Sequence, residues 1–188
     1  DEAAGIWEGL GFTRVENAAE GQMRRIFFYN KKENWWGPAG QTGPCGPDTE
    51  IFYYTGDDLS KAYETQPSDD ETPWVEIWNN VFMQFNKTAE GKFETMEKQN
   101  VDTGMGVERV LCILNGKSSP FETELFDDVV KKIEELSGKT YSGEGLSFRV
   151  ICDHLRAATF IIGDQMGVGP SNRDQGYIVR RLMRRAIR

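Results

Sequence analysis

The residues best suited to chemistry lie between Val101 and Leu114, VDTGMGVERVLCIL, where a strand-like run closes on two glycines and a helical pattern follows with Glu108 and Arg109 in its first turn. Glycines at 104 and 106 let a nucleotide come up against the backbone, and the Arg109 guanidinium can stack on a base while donating to phosphate oxygens. That combination suits ATP. It is neither a Rossmann fingerprint nor a P-loop, because it lacks the third glycine of the first and the Gly-Lys-Ser/Thr ending of the second. Taken alone, a Gly-x-Gly between strand and helix is more often a tight packing corner.

A second candidate is Trp74 to Phe85, WVEIWNNVFMQF. Alternation along a strand sets Glu76, Trp78 and Asn80 on one face and Ile77, Asn79, Val81 and Met83 on the other. An edge strand with one wet face would look the same. With Asp102 nearby, Asn79 and Val81 make a small pocket able to read an ammonium group and a short side chain. No Ser-His-Asp or Cys-His set accompanies these residues, and the lone His154, next to Asp153, reads as a hydrogen-bonded helix residue. Cys45, Cys112 and Cys152 are odd in number and far apart, which argues against a disulfide framework and a local zinc site.

The elements that must hold these groups can be read from periodicity. Ala3, Ala4, Ile6, Trp7 and Leu10 have helical spacing before a glycine stop at Gly11, and Ile26 to Tyr29 reads as a short strand. Trp35 to Pro47 is broken by glycine and proline and predicts a shaped loop. Thr49 to Tyr54, Trp74 to Phe85 and Phe93 to Val101 predict strands, with a turn at Asp102 to Gly106 and a helix over Val107 to Leu114. The acidic stretch from Asp57 to Glu71 predicts a solvated connection. Beyond Asn115-Gly116 the pattern changes to three- and four-residue intervals in Phe126 to Leu136, Phe148 to Ile162 and Tyr177 to Ile187, all helical. These signals predict an α+β portion over residues 1–115, then an α-helical portion over 116–188.

Across 188 residues, 38% hydrophobic content is enough for a real core, and the net charge is −8. That total hides an asymmetry. Residues 173–188 hold six arginines against Asp174, a net +5, while the rest of the chain carries a net −13, so one end alone suits phosphate contact. On the last helix Arg180, Arg184 and Arg188 share a face, Arg181 and Arg185 flank it, and Ile178, Val179, Leu182, Met183, Ala186 and Ile187 point toward a core. A solvated face balancing an acidic protein would read the same way. No run is long enough to span a bilayer and the start has no signal-peptide pattern, so a cytoplasmic origin is expected. Neither end carries a start or stop signal, so the chain reads as an excerpt of a longer one.

Five segments in order, ENWWGPAGQTGPCGPDTEIFY, EIWNNVFMQFN, DTGMGVERV, DHLRAATFIIGD and PSNRDQGYIVRRLMRRAIR, resemble successive motifs of alanyl-tRNA synthetases, and GMGVERVLCIL is similar to motif 3 of class II synthetases in general. The resemblance covers essentially the whole chain, and it implies that the first portion is part of a class II antiparallel sheet with flanking helices. It implies ATP-dependent activation of alanine and transfer to the 3′ end of tRNA(Ala), with ATP, Mg2+, alanine and tRNA as partners. It also implies that Asp102 binds the substrate ammonium and that Trp36, Asn79 and Val81 bound a pocket too small for larger side chains. One methylene is worth only about 1 to 3 kcal/mol of such discrimination, so glycine and serine remain near-misses. Arg109 would serve catalysis with Asp102, stacking over adenine and meeting the phosphates, with Gly104 and Gly106 giving it room. Glu76 would help to hold magnesium, and Asn172, in PSN, would approach the acceptor stem beside Arg180, Arg181, Arg184, Arg185 and Arg188.

The sequence departs from that family in two ways. Motifs 1 and 2, including the arginine that grips the α-phosphate, are not found in these residues. Some members also carry Cys-x-x-Cys and later histidines where this chain has Cys45-Gly46-Pro47-Asp48, Tyr54 and Asp57, so no zinc ligand set is expected here. Two other readings stand beside the ligase: a non-catalytic RNA-binding or regulatory relative, which the missing motifs favour, and an unrelated ATP-using ligase sharing motif 3, which the pocket and PSN oppose.

Overall fold

A computed structural model describes residues 2–69 and 73–188; Asp70 and Glu71, at the end of the expected acidic connection, lie outside the described residues. The chain divides into two compact units, Asp1–Ile113 and Leu114–Arg188. Helices and strands are mixed in the α+β manner expected, with the strands antiparallel in the main sheet.

The first unit opens with α1, Glu2–Gly9, which buries Ala4 and ends as Gly11 turns to φ +89. β1, Thr13–Arg14, and β2, Arg25–Ile26, form a short parallel pair. The strand expected over Ile26 to Tyr29 is thus displaced. Past Ile26 the backbone leaves regular pairing, because the Tyr29 N–H donates to the Asn34 side chain at 3.2 Å and the Phe27 and Tyr29 rings stack at 6.2 Å.

The main sheet has the order β3-β4-β5-β6: Trp35–Trp36, Gly43–Tyr54, Trp74–Lys87 and Phe93–Met105. Two expectations are corrected here. The segment from Trp35 to Pro47 is not one loop, since Trp35 and Trp36 pair with Pro47 and Gly46 while Gly43 to Cys45 pair with β5. Glycine makes this possible: a Cβ on Gly46 would sit 1.8 Å from the Phe82 carbonyl oxygen, so only a residue without a side chain lets the strands approach. The third strand also runs past Val101 to Met105, carrying Asp102, Thr103 and Gly104 into the ladder. The chain turns at Gly106, whose N–H donates to the Ile77 carbonyl at 3.0 Å, and α2, Val107–Leu114, begins as expected. Between β4 and β5, a short 3-10 helix, Leu59–Tyr63, buries Ala62 completely, so the acidic connection is not solvated throughout.

The second unit is helical, with α3, Asp127–Ser137, α4, Tyr141–Gly163, and α5, Asp174–Ile187. Its core includes Phe126, Phe148, Cys152, Ala158 and Val179. Gly176 is enclosed, a Cβ there meeting Ser171 Oγ at 2.4 Å. Not every apolar residue of α5 faces inward: Val179 is buried, but Ile178 and Ile187 are exposed. Val179, Leu182, Met183 and Ala186 follow one 3.6-residue stripe, and the two isoleucines fall outside it. No described helix is long and apolar enough to cross a membrane.

Candidate active site and nucleic-acid interface

Cross-strand register builds the first site. Opposite residues of an antiparallel pair point to the same face. Val81 stands between Asp48 on β4 and Asp102 on β6, and Asn79 between Glu50 and Gly104. Gly104, having no side chain, leaves the face open beside Asn79, with nothing within 4 Å of where its Cβ would be. Trp36 on β3 pairs with Gly46, two residues before Asp48, and stays 40% exposed.

Simple alternation along β5 fails at one point. Ile51 pairs with Trp78 but Phe52 pairs with Glu76, so β5 carries an extra residue, Ile77, in a bulge. The bulge resets the pleat. Glu76 therefore joins the face of Asn79 and Val81 rather than that of Trp78 and Asn80, correcting the sequence reading. There it meets Arg109, whose Nη1 donates to the Glu76 carbonyl at 2.8 Å and to its Oε2 at 3.2 Å. Gly106 makes room for this arginine, since a Cβ at that position would come within 3.1 Å of Arg109 Cδ.

The face is acidic and partly dry. Asp48 is 7% exposed, and Asn79 Nδ2 donates to Asp48 Oδ2 at 3.3 Å and to Glu50 Oε1 at 3.2 Å. Burial, with Glu76 and Asp48 beside it, pushes the Glu50 carboxyl up to about 7. Burial also raises Asp48, against its hydrogen bond from Asn79. Asp102, by contrast, is exposed on the outer strand. Sequence reasoning did not place Asp48 and Glu50 in the site. Their signal was available in DTEIFY, where two acidic residues at a spacing of two interrupt an aromatic strand.

Among the described residues no three His, Cys, Asp or Glu side chains meet in a geometry that could hold a metal ion by themselves. A magnesium ion commonly takes only one or two carboxylates and completes its shell with substrate phosphates and water. Glu76, on the same face as Glu50, fits that sparse role.

Alongside this face lies a cavity of about 520 Å³ lined by Arg25, Phe27, Tyr29, Trp35, Glu50 and Trp74, among others. The Arg25 guanidinium lies over the rings of Phe27, Tyr63 and Trp74 at 5.0 to 5.7 Å and donates to the Ala62 carbonyl.

The second unit holds the other set of predicted residues. Tyr177, Arg180, Arg181, Arg184, Arg185 and Arg188 line a recess of about 370 Å³ along α5. Asn172, just before the helix, accepts a hydrogen bond from Arg180 Nη1, and Ser171 accepts one from the Arg173 N–H at 3.2 Å. Asn172, Arg181, Arg184, Arg185 and Arg188 are exposed, and Arg180 is half-buried.

Residues 3–188 match the family model of class II (A) tRNA synthetases, and the chain belongs to that family. Its relatives narrow the resemblance. It is 46% identical over 191 residues to the alanine–tRNA ligase of Treponema pallidum (strain Nichols) and 47% identical over 191 residues to that of Treponema denticola, with 100% of this chain and 30% of each relative covered. Against the alanine–tRNA ligase of Thermotoga maritima the identity is 47% over 194 residues, again with 100% of this chain covered and 21% of the relative. The chain thus spans less than a third of the length of these relatives. The motif resemblance read from the sequence agrees with them along its whole length.

Proposed function

We propose that this chain is the portion of an alanine–tRNA ligase that recognises alanine and the adenosine end of ATP and begins to grip the tRNA. The observation that carries the reading is the register that brings Asn79, Val81, Asp102 and Gly104 onto one face with Glu76 and Arg109 at its end. Residues 1–115 form the catalytic portion in this reading and 116–188 the start of the tRNA-recognition portion.

Alanine enters with its ammonium toward Asp102 and its methyl against Val81, while Trp36 limits the volume on the other side. Arg109 stacks over the adenine and lends positive charge to the phosphates, with Gly104 and Gly106 leaving the backbone approachable. The alanine carboxylate oxygen attacks the α-phosphorus, the bond to the bridging oxygen breaks, and pyrophosphate leaves; no side-chain nucleophile is required, only positioning and charge stabilisation. Glu76 would help to hold magnesium, which would supply charge neutralisation at the phosphates. The tRNA 3′ hydroxyl then attacks the aminoacyl carbonyl and AMP departs. Asn172 and the α5 arginines face the acceptor stem, a role suited to RNA, where shape and phosphate contacts dominate.

The test is alanine-dependent exchange of pyrophosphate into ATP by the protein extended to the full length of its relatives. Exchange with alanine, far weaker with larger amino acids, is the expected result. If the full-length protein binds acceptor-stem RNA yet exchanges nothing with any amino acid, the non-catalytic relative replaces the ligase.

A further inference from the structure

Asp48 and Glu50 have no task in the mechanism above, although Asp48 is a buried carboxylate and both accept from one amide nitrogen. An ionised carboxylate can only accept, so two of them facing the same end of an asparagine select its NH2. Turning the amide over would set the Oδ1 lone pairs against both acids. Asn79 Oδ1 is therefore directed away from them, and it is buried without a hydrogen-bond partner. A buried carbonyl oxygen left in that state is a polar group whose partner comes from elsewhere. Its neighbours across β6 are Gly104, opposite Asn79, and Asp102, opposite Val81, which is where the reading above puts the ammonium.

We propose that Asp48 and Glu50 are positioning residues that lock the Asn79 amide so that its Oδ1 receives the substrate ammonium together with Asp102. This deepens the alanine-ligase reading and rests on it for the identity of the cation. Asp48 Oδ2 and Glu50 Oε1 accept from Asn79 Nδ2 at 3.3 and 3.2 Å, so an acceptor at position 50 is what the lock requires.

Two measurements separate this from the reading it rests on. In the 15N-labelled chain, the Asn79 side-chain amide, identified by its loss in Asn79→Ser, is expected to exchange its hydrogens with solvent about tenfold more slowly than a free asparagine amide, and to lose that protection in Glu50→Ala. In the full-length protein, Glu50→Ala is expected to raise the KM for alanine about tenfold, with a smaller effect on ATP, while Glu50→Gln, which keeps an acceptor, stays within about threefold of wild type at pH 8. An unprotected amide, or a Glu50→Ala protein with the wild-type alanine KM, overturns the positioning role. A protected amide in a full-length protein that activates no alanine keeps the lock on Asn79 and overturns the alanine reading instead.

Discussion

Arg109 and Glu76 stand 33 residues apart in sequence yet meet twice through one guanidinium nitrogen, which donates to both the backbone carbonyl and the carboxylate of Glu76. The contact joins the first turn of α2 to the bulged start of β5. Because both side chains remain substantially exposed, at 51% and 35%, the ion pair itself adds little to stability. Its effect is to hold the guanidinium ready over the sheet.

Removing that guanidinium should therefore harm nucleotide use more than folding. In the full-length protein, Arg109→Ala is expected to raise the ATP concentration needed for half-maximal exchange by about tenfold or more, with a melting temperature close to wild type. Arg109→Lys should recover little, since an ammonium neither stacks like a guanidinium nor forks. Unchanged ATP dependence would reduce the glycine corner to packing.

Asp102→Asn keeps the shape of the side chain and deletes its charge. If Asp102 holds the ammonium, alanine use should fall by about 2 kcal/mol or more while the ATP requirement stays nearly constant. Exchange kinetics with each substrate varied in turn measures both. Equal losses for alanine and ATP would take Asp102 out of the ammonium role.

Much of this arrangement could be read before any coordinates. Strands over Thr49 to Tyr54 and Trp74 to Phe85, the helix over Val107 to Leu114 and the three later helices all follow from hydrophobic periodicity, because each buries one regular face. The misses share a different physics. The Ile77 bulge, which moves Glu76 to the other face, arises from a mismatch between two strands and leaves no periodic trace in either. Gly43 to Pro47 looked too rich in glycine and proline to pair, yet Gly46 enters the sheet because its missing side chain permits the approach. Asp48 and Glu50 were passed over for a related reason: an acidic residue in a strand counts as solvent-facing unless a partner such as Asn79 is known across the ladder.

Glu50 also makes the fold sensitive to pH. Its carboxyl is raised in the folded state from the usual 4.5 to about 7, so the folded chain binds the proton more tightly than the unfolded one. That stabilisation is complete below pH 4.5 and is lost as pH rises through about 7. Asp48 acts in the same direction, while Asp58 is lowered and acts in the opposite one. Comparing wild type with Glu50→Gln cancels the other groups. The difference in unfolding free energy should shift in favour of the Gln protein between mildly acid and mildly alkaline pH, by about 1 to 2 kcal/mol once solvent screening is allowed for. Parallel pH profiles would show that Glu50 is not buried against its neighbours.

Gly46→Ala is a test of the sheet alone. The new methyl would collide with the backbone of Phe82, which cannot rotate away as a side chain could. A loss of about 3 kcal/mol or more is expected, read as a lower denaturation midpoint. A midpoint within error of wild type would mean that β4 and β5 do not approach this closely.

The α5 arginines predict a salt-dependent contact. The chain should bind a labelled acceptor-stem hairpin weakly, more so at low salt, because phosphate contacts release counterions. The Arg180→Ala/Arg184→Ala/Arg188→Ala protein should lose most of that binding and show a shallower salt dependence. Equal binding by both proteins would leave α5 as a solvated face.

Among the described residues β6, Phe93–Met105, pairs with β5 on one side only. Such an edge is a template for a further strand, and a second copy of this chain could be laid along it edge to edge. What opposes this is written into the strand itself, where Glu94, Glu97, Lys98 and Asp102 scatter charge along it, so that two copies laid edge to edge would bury unmatched ions. In the proposed reading Asp102 then serves twice, holding the substrate ammonium and placing a charge on this edge that keeps a second copy from adding to it.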